Sequence, residues 1–506
     1  MRMNRFIVSA SGVALLFVAM LLAACTSASE ETSPKKREAL QLKVMEFNIE
    51  YGGHEIAFDS VVEAIQKSDA DVVAVEEAWG NMPLLARRLG WRYFDRRMQL
   101  VSQLPLLAPR GSDGLYTFVD VEPGGVVAIG NVHLPSGPYG PFQIKDGAGP
   151  KEIIALEKRV RLPALQPYLE ALTELVDNGI PVFLTGDFNA PSHLDWTTDG
   201  VGTRNHMEYA LEWPVSAAVE EAGFQDSYRE VHPDPVMSPG LTWPAARPFV
   251  EGYNPGLNGA AADRIDFIYS GGPAVVLDSQ LVGEKSHPEV EIPITPWPTD
   301  HRGILSTFEI EPAMPPVFIA VERRLIKVGN KGRISFEAPD VGADRVVVVP
   351  QGDDVSAAVD DIPVNDDSHG TATFSTEDWK PGQYEAVLIA RTNDELSRIS
   401  FWVTAPDARP RIATRKPLYG VGEGIDVEWR NTPANRWDWV GIYKRGADPN
   451  VASYITWFYT DSSVVGTKEM DETAAGGWPL RSGKYSAYLL EDDSYKLLAR
   501  ADFTVR

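Results

Sequence analysis

The polar side chains that close several apolar runs in this chain are of the types that hydrolysis of a phosphoester with a divalent cation requires. They fall in six short stretches: Phe47-Asn48-Ile49-Glu50, Val75-Glu76-Glu77, Asn131-Val132-His133-Leu134, Gly186-Asp187-Phe188-Asn189, Arg264-Ile265-Asp266 and Thr299-Asp300-His301. Glu77, Asp300 and the amide of Asn48 make a hard-oxygen shell of the kind Mg²⁺ or Mn²⁺ takes. Asp187 and Asn189 lie two apart after Val182-Phe183-Leu184, so an extended backbone turns both to one side. There the acid would position or deprotonate water, and the amide would bind phosphate without adding charge. His133 and His301 are two of 8 histidines, placed where a titrating or hydrogen-bonding role is feasible. Asp266 would orient the His301 imidazole. Each stretch alone has a plainer reading: Gly-Asp-Phe-Asn as a strand-to-turn cap, Glu77 as a surface partner of Arg87 or Arg88, Arg264 as a salt bridge. Their joint occurrence in this order points to strand ends converging on one site.

Strand-like runs at Leu42 to Phe47, Val72 to Val75, Val126 to Asn131, Val182 to Leu184 and Ile265 to Tyr269 would supply those ends. Between them lie amphipathic helical stretches around Val61 to Ile65 and from Ile153 to Leu175, the second interrupted by Pro163 and Pro167. Such alternation predicts a layered α/β core. The Gly-, Pro- and Asn-rich segments Thr197 to Asn205 and Arg247 to Ala262 read as loops. Ala313-Met314-Pro315-Pro316 reads as a linker, and beyond it short alternating strands predict two β-sandwich domains. A weak repeat runs through these, with Val328-Gly329, Phe336 and Gly382-Gln383-Tyr384 recurring as Val421-Gly422, Trp429 and Gly483-Lys484-Tyr485. The last unit, with Trp437-Asp438-Trp439, is similar to accessory sandwiches of bacterial phosphoesterases. Its aromatics read as sandwich core, and no ligand is assigned to it.

The amino terminus has the features of an export signal. Arg2 and Arg5 precede an apolar run from Val13 to Ala24, and Leu22-Ala23-Ala24-Cys25 resembles a bacterial lipobox. The resemblance implies cleavage before Cys25, lipidation of that residue and an extracytoplasmic lipoprotein, in the outer membrane where the cell has one. Cys25 is the only cysteine among 506 residues, so no intramolecular disulfide forms. The net charge of −24 is uneven: residues 41–310 carry 19 Lys and Arg against 38 Asp and Glu. A region at −19 repels polyanions at long range and lowers the prospect of nucleic acid as substrate.

Residues 42 to 310 resemble the endonuclease/exonuclease/phosphatase superfamily on the six stretches quoted above. The resemblance implies an α/β four-layer sandwich (two mixed β-sheets flanked by helices), here followed by two Ig-like β-sandwich domains. It implies metal contacts at Asn48, Glu77 and Asp300, and catalytic roles for His133, Asp187, Asn189, Asp266 and His301. Three departures stand out: Thr299 where Ser is usual, Glu50 where Asp is frequent, and Ser102-Gln103-Leu104-Pro105 without the family's Arg. The expected division is 1–24 signal peptide, 25–41 lipidated Cys and tether, 42–312 catalytic domain, 313–406 β-sandwich and 407–506 accessory β-sandwich. The expected function is a Mg²⁺- or Mn²⁺-dependent phosphoesterase, monomeric and membrane-anchored. Its substrate would be a phosphorylated small molecule, lipid headgroup or sugar phosphate. A secreted nuclease and a catalytically inactive surface binding protein are the alternatives.

Overall fold

Side chains alternate along strand β1 (Leu40–Asn48), and the alternation sorts them between two cores. Leu42 and Val44 enter one core, Met45 and Phe47 the other. The computed structural model describes residues 40–506 except 110, 111, 113, 252, 253, 255–260, 340 and 472–474. The expected signal peptide, Cys25 and most of the tether lie outside the described residues, as does part of the expected Arg247 to Ala262 loop. Among the described residues no helix is long and apolar enough to cross a membrane.

Strands β2 (Val72–Glu76), β3 (Gly125–His133), β4 (Val182–Asp187), β5 (Asp266–Gly271), β6 (Ala274–Glu284) and β7 (Gly303–Ile310) complete the central frame. One sheet runs Val290–Ile294, β6, β7, β1, β2, Leu100–Ser102, Tyr93–Asp95. Its β1 is parallel to β2 and antiparallel to β7, with Glu46 opposite Ile304. The other runs Leu106–Leu107, Thr117–Glu122, β3, β4, β5, Gln225–Asp226. There β3 and β4 are parallel, β5 is antiparallel to β4, and both His133 and Asp266 lie opposite Asp187. Both sheets are therefore mixed.

The sheets face each other across Val44, Val72, Val127, Ile129, Phe183 and Ile268. On the outside of the first, helices α1 (Phe58–Ser68) and α2 (Met82–Leu89) bury Val61, Ile65 and Leu85 against Phe47 and Val75. On the outside of the second, α3 (Pro150–Val160) and α4 (Leu162–Asp177) bury Ile153, Leu165 and Leu172 against Val182 and Leu184. Each such fully buried aliphatic side chain contributes roughly 1.5–3 kcal/mol. The expected long helix is thus two helices meeting at Arg161. Pro163 sits in the first turn of α4, where its missing N–H costs little, and Pro167 lies inside α4 without ending it.

Beyond Glu311 the chain is built of strands in paired sheets. Phe318–Val321, Lys331–Glu337 and His369–Ser375 form a three-stranded sheet that shares a core with a five-stranded one through Phe336, Val346, Tyr384 and Phe401. The pattern recurs with three and six strands around Trp429, Val440, Tyr485 and Phe503. The repeat seen in the sequence has a structural counterpart. Tyr384 Oη donates to the Lys380 carbonyl at 2.7 Å, and Tyr485 Oη donates to the Arg481 carbonyl at 2.6 Å. Ala39–Arg506 forms one compact unit.

Candidate active site

The face that each sheet turns to the other changes from apolar to polar toward a single edge. On β1 the order is Leu42, Val44, Glu46, Asn48; on β2 it is Val72, Ala74, Glu76; on β3 it is Val127, Ile129, Asn131, His133. Strand β4 runs Phe183, Thr185, Asp187, and the antiparallel β5 begins at that edge with Asp266. Asn131 ties the sheets together there, its Nδ2 donating to the Val75 and Met98 carbonyls at 3.2 and 3.1 Å. Beneath the edge, Glu46 and Glu76 are completely enclosed. Burial, reinforced by Asp266, raises Glu46 well above the usual carboxyl range and Glu76 to about 8.

Asn48, Glu50, Glu77 and Asp300 form a knot of oxygens at the rim. Glu77 accepts from the Tyr51 backbone N–H at 2.9 Å and from Asn48 Nδ2 at 3.4 Å. Asn48 Nδ2 also donates to Asp187 Oδ2 at 3.2 Å, while its Oδ1 accepts from the Glu50 N–H at 3.0 Å. Asp300 accepts from Trp243 Nε1 at 3.1 Å. Its own N–H donates to Glu50 Oε2 at 3.0 Å, and Glu50 is clasped by Arg247 at 2.5 and 2.7 Å. The plainer reading of Glu77 fails here, since Arg88 pairs with Asp59 instead. Burial and the neighbouring Asp300 raise Glu77 and lift Glu50 to about 7. This repulsion between hard oxygen donors is what a bound divalent cation would relieve, so the donor set fits Mg²⁺ or Mn²⁺. Glu50, Tyr51, Glu77, Trp79 and Asn189 all hold left-handed backbone angles, with Glu77 at φ 56°. Such strain in non-glycine residues is costly and tends to gather at functional sites.

His301 Nδ1 lies 3.0 Å from both oxygens of Asp266, which turns Nε2 toward Asp187 at 3.8 Å and Asp300 at 3.9 Å. Burial alone would depress this imidazole, but Asp266 and Asp300 raise it well above its ordinary value. His133 Nε2 approaches the same Asp187 Oδ2 at 3.6 Å. Burial and Asp266 push Asp187 up to about 6 despite the two imidazoles beside it. Asn189 donates its backbone N–H to Asp187 Oδ1 at 2.8 Å and its Nδ2 to the Leu134 carbonyl at 3.1 Å. Asp187, Asp266 and His301 also offer ligand atoms within 4.8 Å of one another, a second arrangement able to hold a cation. All eight expected site residues therefore meet at one edge. Arg264 takes the structural part, buried between Asp195 and Asp226. Gln103, where the family pattern has Arg, donates to the Ala70 carbonyl.

The sequence reading missed what the last β unit brings. Asp493 Oδ2 sits 2.6 Å from His133 Nδ1, and Tyr459 Oη donates to Asp493 Oδ1 at 2.9 Å. Burial would lower His133, but Asp493, Asp187 and Glu77 carry it to about 10. Asp492 anchors the same turn, accepting from the Gly80 N–H at 2.9 Å. The site opens into a cavity of about 320 Å³, lined on one side by Glu77, Asp187, Asp300 and His301 and on another by Trp439, Tyr454, Trp457, Tyr459 and Tyr495. These rings correct the expectation that the accessory aromatics are core alone. Trp429 and Tyr485 are core, whereas Trp439 lines the cavity. The only signal in the sequence was the clustering of Trp and Tyr between 437 and 459.

Comparison with known proteins places this geometry. A family model described as Endonuclease/Exonuclease/phosphatase family matches residues 45–301. The uncharacterized protein F14F9.5 of Caenorhabditis elegans is 27% identical over 322 residues, covering 58% of this chain and 98% of that protein. Among solved structures, the endonuclease/exonuclease/phosphatase from Beutenbergia cavernae is 16% identical with a TM-score of 0.34, covering 72% of this chain and 99% of that one. The inositol polyphosphate 5-phosphatase domain of SPsynaptojanin is 14% identical with a TM-score of 0.29, covering 54% of this chain and 85% of that one. With a match that spans half the chain and takes in every one of the convergent site residues, this protein belongs to the endonuclease/exonuclease/phosphatase family.

Proposed function

We propose that the protein is a divalent-metal-dependent phosphoesterase that cleaves a small organic phosphoester outside the cytoplasm, tethered by lipid at Cys25. The observation that carries this reading is the meeting of Glu77, Asp300, Asp187, His133 and the His301–Asp266 pair around one cavity. Glu77 and Asp300 would hold Mg²⁺ or Mn²⁺, with Asn48 steadying Glu77 and facing the phosphate. When bound, the cation supplies charge neutralisation at the phosphoryl oxygens.

The chain's own groups do the rest. Asp187, with both imidazoles near it as protonated donors, is the carboxylate left to orient and deprotonate the attacking water. Asp266 fixes the orientation of the His301 imidazolium so that Nε2–H would face the phosphoryl oxygens. His133, steadied by Asp493, donates a proton toward the departing alkoxide. Asn189 holds the Asp187 carboxylate through its N–H. The rate should therefore rise with pH as Asp187 ionises and fall again as His133 loses its proton.

The test is hydrolysis of bis(p-nitrophenyl) phosphate by the soluble form lacking residues 1–25, after EDTA and again after Mn²⁺ or Mg²⁺ is restored. Activity that disappears and returns supports the reading; activity indifferent to chelation overturns it. A nuclease would show turnover on DNA that falls steeply with salt. Among the described residues, no Lys or Arg lines the cavity, which weighs against it.

A further inference from the structure

The aromatic lining forms a connected surface. Tyr454 and Trp457 meet with centroids 6.2 Å apart, Trp457 and Tyr459 at 4.8 Å, and Trp439 and Tyr495 at 5.8 Å. Tyr495 reaches Trp79 at 5.7 Å and Trp79 reaches Tyr51 at 5.0 Å, beside the Glu77 that Tyr51 supports. Rings that served only to join two units would be covered. Tyr454, Trp457, Tyr459 and Tyr495 instead stay half-buried and border the cavity. The polar part of the lining is mostly carboxylate, with Glu50, Glu77, Asp187, Asp300 and Asp493 beside His133, His301 and Asn189. The guanidinium of Arg247 is bound to Glu50. Among the described residues, a substrate bearing a second phosphate or a carboxylate would find no Lys or Arg in the lining, and the two imidazoles there, His133 and His301, are each already held by an acid, Asp493 and Asp266. A group that presents C–H bonds or a cation to ring faces would find several.

We propose that the C-terminal β unit is the substrate-recognition half of the active site. Its Tyr454, Trp457, Tyr459 and Tyr495 rings take the alcohol of a small phosphodiester that carries no second anionic group. This rests on the phosphoesterase reading above and narrows it. The wall is contributed by residues more than 250 positions beyond Asp187, so it is a property of this chain's domain arrangement.

The experiment uses the full soluble chain and p-nitrophenyl phosphodiesters that differ only in the second alcohol: cyclohexylmethyl, choline and 2-carboxyethyl. In the wild type, kcat/KM for the cyclohexylmethyl and choline esters should exceed that for the carboxyethyl ester by about tenfold or more. Trp457→Ala and the gentler Tyr454→Leu should each bring that ratio several-fold closer to one, with circular dichroism unchanged. A wild-type ratio near one overturns the proposal, as does a ratio that both folded variants preserve. Calorimetric binding of cyclohexylmethyl methyl phosphate to the metal-free protein gives a readout apart from turnover, and Trp457→Ala should weaken it. Ring-dependent binding without any Mn²⁺-supported turnover removes the phosphoesterase reading and leaves the wall standing. Turnover without ring dependence does the reverse.

Discussion

The two β units after Glu311 are built to the same plan but stand in different relations to the site. In both, one strand pair forms the middle of the larger sheet: Ala343–Pro350 with Gly382–Ile389, and Trp439–Lys444 with Gly483–Leu490. In the first unit, Ala343–Pro350 is flanked by Asp360–Asp367, with its sequence Asp-Asp-Ile-Pro-Val-Asn-Asp-Asp. In the second, Trp439–Lys444 is flanked by Thr456–Tyr459, which offers Trp457 and Tyr459 to the cavity. The hairpin after Gly382–Ile389 carries Asn393, bonded to Arg345; that after Gly483–Leu490 carries Asp493, bonded to His133. The two units thus share the paired tyrosine hydrogen bonds of their frame and differ in the strand beside that pair and in one hairpin.

That contrast can be broken by substitution at matching positions. Asp493→Ala should lower kcat by about 10²-fold or more, because His133 loses the acid that holds it. Asn393→Ala at the corresponding hairpin should leave kcat within twofold. Equal effects in steady-state assays would mean that the second hairpin has no special role. A smaller effect is expected at the joint. Arg436 donates to Tyr168 Oη at 3.0 Å and is nearly enclosed, so Arg436→Ala should cost about 1–3 kcal/mol in urea unfolding. Arg345→Ala, whose side chain is partly buried and paired with Asp344 at the surface, should cost less, about 0–1 kcal/mol.

The smallest contrast is in pH dependence. Burial raises Asp438 to about 7, whereas Asp344, which precedes the matching strand of the first unit, is only partly buried. An acid whose folded pKa lies above its unfolded one stabilises the fold most at low pH and loses that contribution as pH rises through the folded value. The melting temperature should therefore decline between about pH 4 and pH 7, and Asp438→Asn should flatten part of that slope.

The parts of this molecule that were legible from the sequence were those in which one strand carries its own explanation. An apolar alternation that ends in Asn48, Glu77, His133 or Asp187 announces both the strand and the edge where it stops. The Asp266–His301 pair was within reach because the residue types suit each other. Asp493 was not, because its contact with His133 spans 360 residues and depends on how two separately folded cores pack. The aromatic wall was hidden for a different reason. Trp429 in the core and Trp457 at the cavity are the same residue type on similar strands, and only tertiary packing decides which is which. Likewise the clasp of Glu50 by Arg247 joins residues 197 positions apart.

The central claim is that Glu77 and the residues around it form a cation-dependent hydrolytic centre. Its most direct test is the Mn²⁺-supported hydrolysis rate of Glu77→Gln, an isosteric change that removes one charge, measured beside the wild type in protein of unchanged melting temperature. The account predicts a loss of about 10²-fold or more, together with weaker Mn²⁺ binding by calorimetry. A variant that hydrolyses the diester at the wild-type rate and binds Mn²⁺ as tightly would contradict it.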